Sequence, residues 1–192
     1  MAAASLNKIL PAERPFRAAR ESELQTQFRT ALTAHDGLVG AHCIHEWWMR
    51  NTFPTHIEAA LAQLWQQAAR SIPDWLPMHY VSWLPLVYEV TSRFTAATRG
   101  RRNIYLVRLD YSDRGADLQG IYVGMTAYAP AQRFDQHRAG IRAAGSVLKR
   151  GQELLLGPVL HLQHIAQADA VRIERDLAIA LADAGLLVEG GH

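Results

Sequence analysis

The stretch Asn103-Ile104-Tyr105-Leu106-Val107-Arg108-Leu109, then the loop from Asp110 to Gln119, then Gly120-Ile121-Tyr122-Val123-Gly124-Met125, decides how this chain is read. In the first piece Ile104, Leu106 and Arg108 alternate with Tyr105, Val107 and Leu109; in the second Ile121, Val123 and Met125 alternate with Tyr122 and Gly124. Such period-two patterns are those of strands. The loop between them carries Asp110, Ser112, Asp113, Gly115 and Asp117, which suit turns and solvent. The economical arrangement is therefore an antiparallel hairpin with both tyrosines on one surface.

A helix is predicted next. Pro130 fits its first position, where a missing N–H costs nothing, and Gly140 fits its end. Arg133 and His137 lie one turn apart on one face, with Phe134 beside them as the anchor against the sheet. Ser146 to Arg150 reads as a short helical turn ended by Gly151, and Pro158 to Ile165 alternates like a third strand. The last helix is predicted from about Gln167 to Ala184, closed by Gly185, and the tail LLVEGGH as a short edge segment.

That last helix carries the strongest chemical signal. Its apolar stripe is Ala170, Ile173, Leu177, Ala180, Leu181 and Ala184, and Glu174 projects into it. A carboxylate there must be paired, protonated or bound to metal, because an isolated buried charge costs several kcal/mol or more. An ion pair with a core arginine such as Arg133 is one outcome. A hard oxygen ligand for a divalent ion is the other.

The order IYLVRL, then IYVG, then an arginine eleven residues after the second tyrosine, a histidine four further on and a later helix glutamate resembles the GIY-YIG nuclease superfamily. Asn103-Ile104-Tyr105 stands where the family has Gly-Ile-Tyr, so that triplet is degenerate, and the second is Tyr122-Val123-Gly124. The resemblance covers roughly residues 100–192. It implies an α+β fold, a small mixed or antiparallel three-stranded sheet flanked by helices, and a metal-dependent endonuclease that hydrolyses phosphodiester bonds. It also implies catalytic roles for Tyr105, Tyr122, Arg133, His137 and Glu174. Glu174 would hold a single Mg²⁺ or Mn²⁺, Arg133 would clamp the non-bridging phosphate oxygens, Tyr105 would be the general base, and Tyr122 would orient the water or phosphate. A tyrosine pKa lies near ~10, so base action near neutrality needs a nearby cation or a histidine acceptor, a role open to His137. Gly124 is expected to let the strand end bend.

The remaining sequence bounds the context. A net charge of +2 gives no global field toward nucleic acid, yet the basic residues are arginine except Lys8 and Lys149. Arg133, Arg138, Arg142, Lys149 and Arg150 stand against Asp135 alone, so the last four are candidate phosphate contacts, with a solvated charged face as the plain alternative. One cysteine, Cys43, excludes an internal disulfide framework. No signal-peptide core and no run of about 18 apolar residues is present, so a soluble, cytoplasmic protein without membrane contact is expected.

Residues 1–99 are expected to form a helical, tryptophan-rich region preceding the domain at 100–192. Residues 1–19 read as a loose arm, Glu21 to His35 as a helix, and His42 to Arg50 as a shorter one. A third helix is predicted from a capping box of Thr55 and Glu58 after Pro54, running to Arg70. Ser71 to Pro85 is an irregular connector, and Leu86 to Val90 a short strand. His35, His42, Cys43 and His45 are spaced poorly for zinc and are read as packing or surface residues. The tryptophans Trp47, Trp48, Trp65, Trp75 and Trp83 are read as core or seam of this half rather than as a base-stacking platform.

Three functions from different classes follow: a metal-dependent endonuclease with DNA favoured over RNA, a non-catalytic nucleic-acid-binding module on the same scaffold, or an interaction module that docks a protein partner through the first half.

Overall fold

The computed structural model describes residues 6, 9–115 and 118–191. Asp117 of the predicted loop, most of the first eight residues of the predicted arm and the terminal His192 of the tail lie outside them. The chain divides into two compact units, Met1–Pro85 and Leu86–His192. Among the described residues, no helix is long and apolar enough to cross a membrane.

The first unit is built on helices α1 (Glu21–Thr33), α2 (Gly37–Met49) and α3 (Pro54–Ala68), which pack against one another. α1 buries Leu24, Phe28, Ala31 and Leu32 at helical spacing, and α3 buries Ile57, Ala60, Leu61, Leu64 and Ala68. α2 is buried almost all round, which is why Trp47 and Trp48 sit in this core and why the helix runs longer than its sequence suggests. The Trp48 indole N–H donates to the Val81 carbonyl at 2.8 Å and that of Trp47 to Glu21 at 2.9 Å. The expected capping box does not form. Pro54 occupies the first helical position after Phe53, so the helix starts upstream of Thr55 and has no side-chain cap.

Leu84–Thr91 is helix α4, not the expected strand. Its buried residues Leu84, Val87, Tyr88, Val90 and Thr91 include the three- and four-residue spacings of a helix, a pattern that a short apolar run conceals.

The second unit is α+β, with a mixed sheet of four strands where three were expected, in the order β3-β1-β2-β4. β1 (Asn103–Asp110) and β2 (Gln119–Thr126) form the predicted hairpin, with Tyr105 opposite Gly124 and Val107 opposite Tyr122. β3 (Gly151–Leu154) pairs antiparallel with β1, and β4 (Leu187–Gly190) joins β2 in parallel, in the tail where an edge segment was expected. The segment read as a third strand, Pro158 to Ile165, is instead a 3₁₀-helix over Gly157–Leu162. Within it Val159 and Leu162 are wholly buried at a spacing of three, which matches three residues per turn, while Ile165 beyond it pairs with Arg102 in an isolated antiparallel bridge. Helices α5 (Pro130–Arg138) and α6 (Gly145–Arg150) place Phe134 and Val147 against Tyr105, Val107 and Leu109. Helix α7 (Gln167–Asp183) packs on β2, β4 and β1.

Candidate active site

Tyr105 and Tyr122 share the face of the hairpin that α5 covers. Their ring centroids are 5.9 Å apart, and each lies 6.0 Å from the His137 imidazole. Gly124 leaves room for this: a Cβ there would come within 2.6 Å of the Tyr122 ring and 2.7 Å of the Tyr105 hydroxyl. The glycine expected to bend the strand is required by two phenols.

His137, from α5, is fully buried. The backbone N–H of Ala144 donates to its Nδ1 at 3.0 Å. In the neutral ring the hydrogen must then sit on Nε2, which lies 2.8 Å from the Tyr105 hydroxyl and donates to it. Burial, then the Arg133 charge, pushes the imidazole down to about 4, so it is neutral at pH 7. The acceptor role expected of His137 is thus replaced by that of a donor, which favours a phenolate on Tyr105 just as a cation would.

The Tyr105 oxygen receives that hydrogen, and its ring lies tilted against that of Tyr122. Tyr105 is 1% exposed, whereas Tyr122 is half-buried. A directed run results, from the Ala144 amide through His137 to the Tyr105 oxygen, with the half-exposed Tyr122 packed beside it. Burial and the adjoining Tyr122 raise the Tyr105 pKa, and Arg133 opposes them. Tyr122 is raised by burial and by the Glu174 charge, and lowered by the Tyr105 hydrogen bond and Arg133.

Arg133 is half-buried and anchored by the turn after α5. Its Nη2 donates to the Arg142 carbonyl at 2.8 Å, and its Nη1 to the Ile141 carbonyl and the Gln136 side chain, each at 3.3 Å. Gly140 makes that turn with a φ of +76°. Glu174 is 8% exposed on α7, and its Oε1 accepts the Met125 N–H at 3.0 Å. The β2–β4 ladder ends at Val123 and Gly190, so the carboxylate takes the amide that the ladder leaves two residues on. The chain matches no protein-family model, no curated protein and no solved structure.

Four of the five predicted residues therefore form one contiguous cluster, and Glu174 lies close enough to Tyr122 to act on its titration. Of the predicted phosphate contacts, Arg138, Arg142 and Lys149 are exposed. Arg150 is engaged: it grips Asp113 through two contacts of 2.5 and 2.9 Å and lies 4.3 Å over the Tyr111 ring. Among the described residues no group of three or more His, Cys, Asp or Glu side chains is placed to hold a metal. An ion at Glu174 would be held by one carboxylate, with water and substrate oxygens completing its shell, which suits Mg²⁺. Sequence reasoning missed the parts supplied by backbone, the Ala144 and Met125 amides, because any residue type carries them.

Proposed function

We propose that the Leu86–His192 unit is a GIY-YIG-type endonuclease, hydrolysing phosphodiester bonds in nucleic acid, with DNA favoured. The observation that carries this reading is the hydrogen bond from His137 to Tyr105, with the half-exposed Tyr122 packed against both rings, flanked by the Arg133 guanidinium and the buried Glu174 carboxylate. The paired phenols supply the general base. As phenolate the pair takes a proton from water, the water oxygen attacks phosphorus, and the bond to the leaving sugar oxygen breaks, that oxygen acquiring a proton from solvent. Tyr122, on the open side, meets the water, and Tyr105, whose phenolate the His137 N–H would stabilise, stands beside it. Arg133, its fork set by two backbone carbonyls, is oriented for non-bridging oxygens. Glu174 fits a single Mg²⁺ or Mn²⁺, which when bound neutralises charge developing on the phosphate and lowers the phenol pKa values.

The test is nicking of supercoiled plasmid by the purified chain, with Mg²⁺ or with EDTA. Wild type is expected to cut only with the metal, and Glu174→Gln to be at least ~10³-fold slower while still folded. Cutting by Glu174→Gln at the wild-type rate would overturn the assignment. One observation, the near-complete enclosure of Tyr105, favours a second reading, a nucleic-acid-binding module without catalysis. That reading requires salt-dependent binding with no cleavage under any metal.

A further inference from the structure

The N-terminal end of β1 holds a second polar site. Asn103 is 4% exposed, and its side chain ties two separate segments together. Its Nδ2 donates to the Tyr128 carbonyl, in the loop before α5, and its Oδ1 accepts the His164 N–H, each at 2.9 Å. A glycine here, as in the family triplet, would leave both groups without these partners. His164 is held in the left-handed region at a φ of +56°, a conformation that costs a non-glycine residue energy and persists only when its surroundings impose it. The backbone imposes it twice more: Gly100 N–H donates to the His164 carbonyl at 2.7 Å, and Arg102 and Ile165 exchange hydrogen bonds of 3.0 and 2.8 Å.

These braces frame a recess of about 340 Å³. Arg101, His164, Gln163 and Asn103 supply its polar groups, Ala127, Ala129 and Pro130 complete it, and no carboxylate lines it. Arg101 and His164 are exposed, and among the described residues Arg101 forms no ion pair. Asn103 and Tyr105 are alternate residues on one face of one strand, so the recess begins roughly 7 Å from the reacting phenols. Phosphates in a stacked strand succeed one another every ~3.4 Å along the axis, so this is a step of one or two phosphates.

We propose that this recess binds a backbone phosphate of the nucleic-acid substrate, one or two steps from the scissile one, through the Arg101 guanidinium and the His164 imidazole. The proposal rests on the nuclease reading and names a subsite of it. Asn103, in the place of the family's glycine, is its positioning residue.

The experiment measures fluorescence anisotropy of a short fluorescein-labelled DNA duplex with the full chain in EDTA, over a salt series. An RNA duplex of the same length runs in parallel, followed by cleavage kinetics in Mg²⁺. Arg101→Ala and His164→Ala are expected to weaken binding by about five- to tenfold each. Arg101→Ala should also shallow the salt slope by about one, and Arg101→Lys should restore most of that slope. In cleavage KM rises by a similar factor and kcat is kept, which lost folding would not produce. Unchanged binding, slope and KM in both alanine variants, with wild type active, overturn the subsite and leave the nuclease standing. Wild-type binding that both variants weaken, without any cleavage, supports the subsite and overturns the hydrolase. Absence of binding to either duplex overturns both.

Discussion

His42 on α2 and His137 on α5 are both buried histidines, 1% and 0% exposed, and burial pushes both to about 4. Their surroundings differ. His42 lies 4.9 Å from the Trp75 ring, and neither of its ring nitrogens has a hydrogen-bond partner among the described residues. His137 has both nitrogens engaged, one by a backbone amide that sets the tautomer and the other by a phenol packed beside a half-exposed second phenol. A displaced pKa therefore marks burial in either unit. A candidate for chemistry needs in addition bonds with one direction and an open end beside them, and only the second histidine has both.

The largest expected effect removes that open end. Tyr122→Phe and Tyr105→Phe keep the packing and lose one oxygen each, and plasmid nicking should fall by ~10²–10⁴-fold with thermal stability little changed. Tyr122→Phe should be the more damaging, because Tyr122 is half-exposed and Tyr105 is enclosed. In wild type both phenol pKa values are raised, so the phenolate fraction grows about tenfold per pH unit below them. The logarithm of the cleavage rate should accordingly climb with a slope near ~1 across the neutral and mildly alkaline range. A bell centred near neutrality would dismiss the phenol pair as the base.

Next in size is the acid response of the first unit. The folded pKa of His42 lies below its ordinary value of 6.5, so the folded state favours the neutral ring. That contribution is complete above pH 6.5 and is lost as pH falls toward about 4. The shift corresponds to roughly 3 kcal/mol at most. Glu46 works in the same direction at lower pH. Burial opposes its charge, but hydrogen bonds from Arg14 and Arg50 prevail and lower its pKa, so its contribution is lost on protonation. Urea unfolding of His42→Leu should show a flatter loss of stability between pH 6.5 and 4 than wild type. Equal slopes would mean that the ring is already charged or hydrated in the folded protein.

How far the sequence carried differs between the same two regions. The hairpin, α5 and α7 were legible because each has an unbroken period and a punctuating proline or glycine, such as Pro130 or Gly185. Glu174 was legible because a carboxylate contradicts the stripe around it. The 3₁₀-helix was misread because alternation and a spacing of three overlap in Pro158 to Ile165, and β3 was missed because four residues give no period. α4 was misread for the same shortness. The direction of the His137 bond was beyond reach, since it depends on the Ala144 amide, seven residues away in sequence and silent in composition.

The smallest effect is the most discriminating, because it exchanges the two histidines' circumstances. His137→Leu removes the N–H that favours a Tyr105 phenolate, so cleavage should slow by about 10–100-fold and its rising pH limb should move to higher pH. His137→Gln, whose amide can still donate toward Tyr105, should recover part of both. A role confined to packing would lower stability in these variants without moving the pH limb. His42→Leu, at an equally displaced histidine, should leave the cleavage rate and its pH profile where they are. If His42→Leu instead slows cutting as much as His137→Leu, burial rather than the direction of the bonds is what the two residues have in common.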